Sequence, residues 1–230
     1  MGFFDFFKLL PTAPASIKPT TLADRIVEAA ESQRYGAKLS RAPQTVNLVY
    51  GEGMDADGSW NGNPIDLWND RRLIIAWEGS RPVILGSWPA TTTVGIYYDQ
   101  TAPMHPERGA PLIAFGQQAC WQVGIHHPGG PHEALVQTGA PVMCFFDPDR
   151  IFKRYGQTDT GWWGINHHGP GTNHPVANPN SVEGYSAGCL VAQTMVAHRA
   201  SMALLKTDVR YLGNGQHIFD ATVIPAWAFN

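Results

Sequence analysis

Between about residues 45 and 185, glycine and proline cut the chain into short apolar segments, and this punctuation constrains the fold most. "TVNLVYG", "RLIIAWEG", "RPVILGSW", "TTVGIYYD", "PLIAFGQQACWQVGIHH", "EALVQ" and "PVMCFFD" are rich in β-branched and aromatic residues. Each is bounded by turn residues, so each reads as a strand. The 24 glycines and 18 prolines exceed average usage and predict long, ordered loops. Two helices flank the strands. "LADRIVEAAESQRYG" places Leu22, Ile26, Val27 and Ala30 on one face, with Gly36 as a stop. "TMVAHRASMALLK" starts at a possible N-cap, Thr194, and ends near Lys206. "HIFDATVIPAW" reads as a last strand. The expected class is mainly β with few helices (α+β), in one domain over residues 21–230. Residues 1–20 form a tail or docking segment.

Charge and hydropathy exclude several classes. The formal net charge of −3 leaves no basic surplus for phosphates, so nucleic acid is not an expected partner. No apolar run reaches the length of a membrane span. "MGFFDFFKLLPTAPA" lacks a basic leader and is broken by Asp5 and Lys8, so it does not read as a signal peptide. Synthesis in the cytoplasm is expected, with the Phe-rich segment docking on a partner or packing on the domain. Cys120 and Cys144 sit in apolar strand-like runs and read as small buried hydrophobes. Cys189 follows a glycine in a polar loop.

Two loops share a layout: "GIHHPGGPH" and "GINHHGPGTNH" each offer a strand end, two histidines, a Gly/Pro turn and a third histidine. Adjacent residues on a strand face opposite ways, so His126–His127 and His167–His168 each give at most one ligand to a common zinc site. H-E-x-x-H, C-x-x-C and H-x-H spacings are absent, and no metal or cofactor is expected. "MDADGSWNGN" puts Asp55, Asp57 and Gly58 at calcium-loop positions, but Gly53 and Pro64 occupy the end positions, so it reads as a glycine turn. As a nucleophile, Cys189 needs a base and oxyanion donors. Gly188 opens the backbone to a substrate carbonyl, "INHHG" offers a base, and Ser186 is placed to hold its imidazole. A buried free cysteine at a loop–helix junction is the alternative.

"HHG" followed by "YSAGCLV" resembles the signature of the YkuD-type L,D-transpeptidase family. "EGMDADG", "WNDRR", "IAFGQQACWQVGIHH", "HEALVQ" and "GINHHG" are similar to a YkuD-like subgroup found in bacteria and phages. The resemblance implies a β-sandwich-like catalytic domain of mixed sheets and a Cys–His enzyme acting on peptidoglycan stem peptides. It makes Cys189 the nucleophile, His168 the base, Ser186 the orienting group and the N–H groups around Gly188 the oxyanion donors. Asn166, His167, His126 and Trp163 are the expected substrate contacts, and Trp121 and Trp162 lie near the motif histidines. Two positions depart from the pattern. The family's second histidine is Ala187 here, and its arginine two residues after the cysteine is Val191. Arg71, Arg72 or Arg150 is available to replace that charge. The departures favour hydrolysis over transpeptidation. An inactive cell-wall-binding or virion module on the same fold is the first alternative, and a zinc peptidase the second. Action at the cell wall without a signal would suit a phage lysis or virion-entry role.

Overall fold

A computed structural model describes residues 21–102, 107–138, 142–147, 149, 153–154 and 158–229. The expected tail, residues 1–20, and Arg150 lie outside the described residues. The fold is mainly β with few helices and mixed sheets. The strands are β1 (Asn47–Glu52), β2 (Asp70–Glu78), β3 (Arg81–Thr91), β4 (Ala110–Ile113), β5 (Gly116–His126), β6 (His132–Gln137), β7 (Val142–Asp147), β8 (Asp159–Gly161), β9 (His167–His168), β10 (Leu190–Ala192) and β11 (Phe219–Pro225). The helices are α1 (Leu22–Glu31), α2 (Met195–Leu205) and α3 (Val209–Gly213).

Eight strands hydrogen-bond in the order β1-β11-β5-β6-β9-β10-β3-β2 and close into a barrel. The pairs β1–β11 and β9–β10 are parallel and the other pairs of the barrel antiparallel. The sandwich-like expectation therefore changes in one respect: the main sheet has no free edges, because β11 returns beside β1 and β10 beside β9. Strands β4, β7 and β8 form a separate three-stranded sheet.

Side-chain alternation divides the core. Leu48 and Tyr50 of β1, Ile74 of β2 and Phe219, Ala221 and Val223 of β11 join Trp121 in one cluster, to which α2 adds Met202 and Leu205. Val49, Leu73, Ile75 and Ile224 point the other way and pack under Ile26, Val27 and Ala30 of α1. Strand β1 is buried throughout because it is covered on both faces. Thr21 caps α1 in a reciprocal box with Asp24, and Thr194 caps α2 by accepting from the Ala197 amide.

One expected strand is absent. In "TTVGIYYD", Thr93 bonds Thr91 at the end of β3, the Gly95 amide turns to the Ser186 carbonyl, and Tyr97–Thr101 winds into a short π-helix. Side-chain-to-backbone bonds thus take the place of a strand ladder. "MDADGSW" is a turn as expected, with Gly58 at φ +91° and Met54 bridging Trp60.

Candidate active site

The two His-rich loops lie side by side, and their backbones touch. Asn173 donates to the Gly129 carbonyl at 3.0 Å. A Cβ at Gly171 would fall 2.2 Å from that same oxygen, so only glycine fits there. Strand β9 inserts between β6 and β10, pairing His167 with Leu135 and Leu190, and His168 with Val191. Alternation then separates the adjacent histidines. His167 enters the barrel, 1% exposed, against Trp121 and Tyr50. His168 faces the other way and stacks on His126, with ring centroids 3.9 Å apart and planes 13° apart.

Cys189 stands just before β10. His168, His126, His174, Glu183, Tyr185 and Cys189 all line a cavity of about 500 Å³. The thiol receives the Asn166 amide N–H at 3.4 Å and approaches the Gly164 carbonyl at 3.5 Å. Asn166 carries further connections. Its backbone carbonyl accepts the Leu190 N–H, its Oδ1 accepts the Gln137 N–H, and its side-chain amide therefore donates to His126 Nδ1 at 3.3 Å. That bond leaves the His126 proton on Nε2. His168 Nδ1–H donates to the Gly169 carbonyl at 2.6 Å, which leaves Nε2 as an unprotonated acceptor.

Burial sets the charge states. It lowers His126 to about 4, helped by His132 and His127, and holds His168 well below the usual imidazole value, helped by His126. Both rings are neutral near pH 7. Burial also pushes the Cys189 thiol up to about 11, opposed by the Asn166 N–H. A base paired with the sulfur would be expected to lower it. The expected depression is absent because no imidazolium stands beside the sulfur. Such a site holds a neutral thiol and neutral imidazoles.

The expected residues fare differently. Cys189, His168 and His126 share the cavity, and Asn166 braces it from behind. Ser186 does not orient the imidazole. Its fully buried hydroxyl donates to the Cys189 carbonyl at 2.8 Å and accepts the Gly188 N–H at 3.1 Å, so it shapes the loop. The Gly169 carbonyl holds the imidazole instead. The Gly188 amide is consequently engaged and not free for an oxyanion. Gly188 itself has φ +118°, and a Cβ there would meet the Pro111 carbonyl at 2.7 Å. His167 is sealed in the barrel and cannot contact a substrate. Trp163 packs on Phe146 away from the cavity, and Trp121 is buried, its N–H on the Ile165 carbonyl.

A second set of polar groups backs the site. Arg72 is 1% exposed, with Tyr50, His198 and Ser201 around it. His132 accepts the Gly169 N–H on Nε2 and donates from Nδ1 to the Gly130 carbonyl. A sequence signal existed for Arg72: it shares strand parity with the inward Ile74. Among the described residues, no three of His, Cys, Asp and Glu converge as ligands of one metal ion.

No protein-family model matches the chain. No curated protein and no solved structure matches it either.

Proposed function

We propose that the chain is a Cys–His acyl-transfer enzyme acting on peptidoglycan stem peptides. The observation that carries this reading is the delivery of Cys189 and His168 into one cavity by adjoining parallel strands. The resemblance of "HHG…YSAGC" to the YkuD-type signature supplies the substrate class. In the first half-reaction, Sγ bonds to the carbonyl carbon of the scissile amide while His168 Nε2 takes the thiol proton. The tetrahedral oxyanion meets the Cys189 N–H. Collapse breaks the C–N bond, His168 returns the proton to the leaving amine, and a thioester remains. Water, deprotonated by the same imidazole, releases the acid and restores the thiol.

Hydrolysis is favoured over transfer to an amine. Val191 is buried and apolar where the family carries an arginine, and Ala187 on the cavity wall offers no second imidazole. A second reading, an inactive wall-binding module, draws on one observation: Cys189 and His168 share no hydrogen bond, and the thiol is raised. Mass analysis of muropeptide products separates the two. The wild type should shorten disaccharide-tetrapeptides, with shortened products still dominant when a D-amino acid acceptor is added, and Cys189→Ala should not. Intact peptides with both proteins would favour the binding module. Action at the wall, in a phage or a bacterial setting, belongs to the same proposal. Among the described residues no helix is long and apolar enough to cross a membrane.

A further inference from the structure

Arg72 is buried inside the barrel, yet no carboxylate among the described residues pairs with it. A guanidinium so placed is strongly penalised unless its N–H groups are all bonded. Here all five are accounted for. Nε donates to Tyr50 Oη at 2.7 Å, and Nη1 to His198 Nδ1 at 2.9 Å and Ser201 Oγ at 3.2 Å. Nη2 donates to the His168 carbonyl at 3.2 Å and the Leu190 carbonyl at 2.9 Å. One nitrogen thus bridges the residue that carries the base and the residue that follows the nucleophile.

Strands β9 and β10 are held by short ladders, two register positions between them and two from β10 to β3. They are two and three residues long, and β9 pairs β6 at a single register position. The planar fork of an arginine meets two carbonyls from one nitrogen in a fixed geometry, which a lysine cannot reproduce. The rest of the guanidinium is tied to β1 through Tyr50 and to α2 through His198 and Ser201, so the reference frame is the barrel itself.

We propose that Arg72 is the positioning residue of this site, clamping β9 to β10 so that His168 and Cys189 meet a substrate carbonyl together. The proposal rests on the Cys–His reading above but not on peptidoglycan as substrate. Arg72 touches neither substrate nor reacting atoms. It supplies from β2 a charge that the position two after the nucleophile, Val191, lacks.

The test is acylation of Cys189 by a small activated ester such as p-nitrophenyl acetate, followed by intact mass and release of nitrophenol. In the wild type, neutral His168 takes the thiol proton, so the rate should be nearly flat from about pH 6.5 to 9. Arg72→Lys should slow acylation about a hundredfold at neutral pH, the scale of an ångström-level misplacement. It should also change the profile. With the base displaced, only free thiolate reacts, and the rate should climb about tenfold per pH unit. A purely structural role would leave that profile flat. Tyr50→Phe removes the Nε acceptor together with the hydroxyl's bond to His167 Nδ1 at 3.0 Å, should fold, and should shift rate and profile in the same direction by a smaller factor. It decides the matter if Arg72→Lys does not fold. Arg71→Gln is the control, since Arg71 bonds Ser87 on the other face of β2, and it should match the wild type. Folded variants of Arg72 and Tyr50 with wild-type rate and profile would overturn the clamp alone. A wild type that never acylates Cys189 would overturn the clamp and the Cys–His reading together. Acylation of Cys189 without any action on muropeptides would leave the clamp standing and remove the substrate assignment.

Discussion

At the scale of single residues, the distinction between His167 and His168 was legible in the sequence, because strand alternation alone sends neighbours to opposite faces. His168→Ala should lower turnover about a thousandfold with little loss of fold, as expected for removal of a general base. His167→Ala should instead act through stability, by about 2–4 kcal/mol, because it empties space between Tyr50 and Trp121. Kinetics and thermal melts of both variants check this, and the reverse pattern would move the base to His167. The thiol was less legible. Burial pushes Cys189 up to about 11, and Cys120 and Cys144 to about 12. Iodoacetamide should therefore label Cys189 slowly at pH 7 and increasingly toward pH 10, still ahead of the two core cysteines because it alone reaches a cavity. Rapid labelling at pH 7 would mean a preformed thiolate. The role of Ser186 was also hidden, because the partner of a hydroxyl three residues from a cysteine depends on how the loop closes.

At the scale of elements, the site depends on how the chain enters β10. Gly188 turns the backbone at φ +118° under the Pro111 carbonyl of β4. Gly188→Ala must both strain that φ and displace Pro111, so Cys189 should shift. The expected result is a folded protein with turnover reduced at least about a hundredfold and a lowered melting temperature. Wild-type turnover in that variant would show that the turn does not set the nucleophile. The long strands and both major helices follow from apolar spacing, turn residues and the caps Thr21 and Thr194. The short strands β9 and β10 do not. A two-residue strand such as β9 has no period to read, and it exists because β6 and β10 supply partners on either side. Helix α3, capped by Asp208, was missed for a similar reason, since its five residues carry no helical stripe. The π-helix at Tyr97–Thr101 was hidden because its residues favour strands and only tertiary bonds divert them.

At the scale of the whole molecule, the buried histidines dominate the acid response. Burial lowers His126 to about 4 and His198 to about 3, the latter helped by Arg72, and holds His167 and His168 well below the usual value. Below about pH 6.5 the unfolded chain binds protons that these four rings refuse, so their contribution to stability is lost as pH falls. Asp70 acts oppositely. Burial and then Glu52 raise it to about 7, so it favours the fold at low pH and loses that contribution as pH rises through 7. Four rings outweigh one carboxyl. Between about pH 5 and 6 stability should fall by roughly 4 kcal/mol per pH unit lost, at about 1.4 kcal/mol per proton. Thermal melts across pH 5–8 check this, and a flat profile would contradict the burial assigned to the cluster.

The proposed Cys–His chemistry requires that Cys189 carry an acyl group taken from a stem peptide. Intact-protein mass spectrometry after brief mixing with disaccharide-tetrapeptide tests it most directly. The prediction is a mass increase equal to the acyl fragment, mapped to the peptide containing Cys189 and absent in Cys189→Ala. An unchanged mass in the wild type at every mixing time, with the tetrapeptide intact, would contradict it.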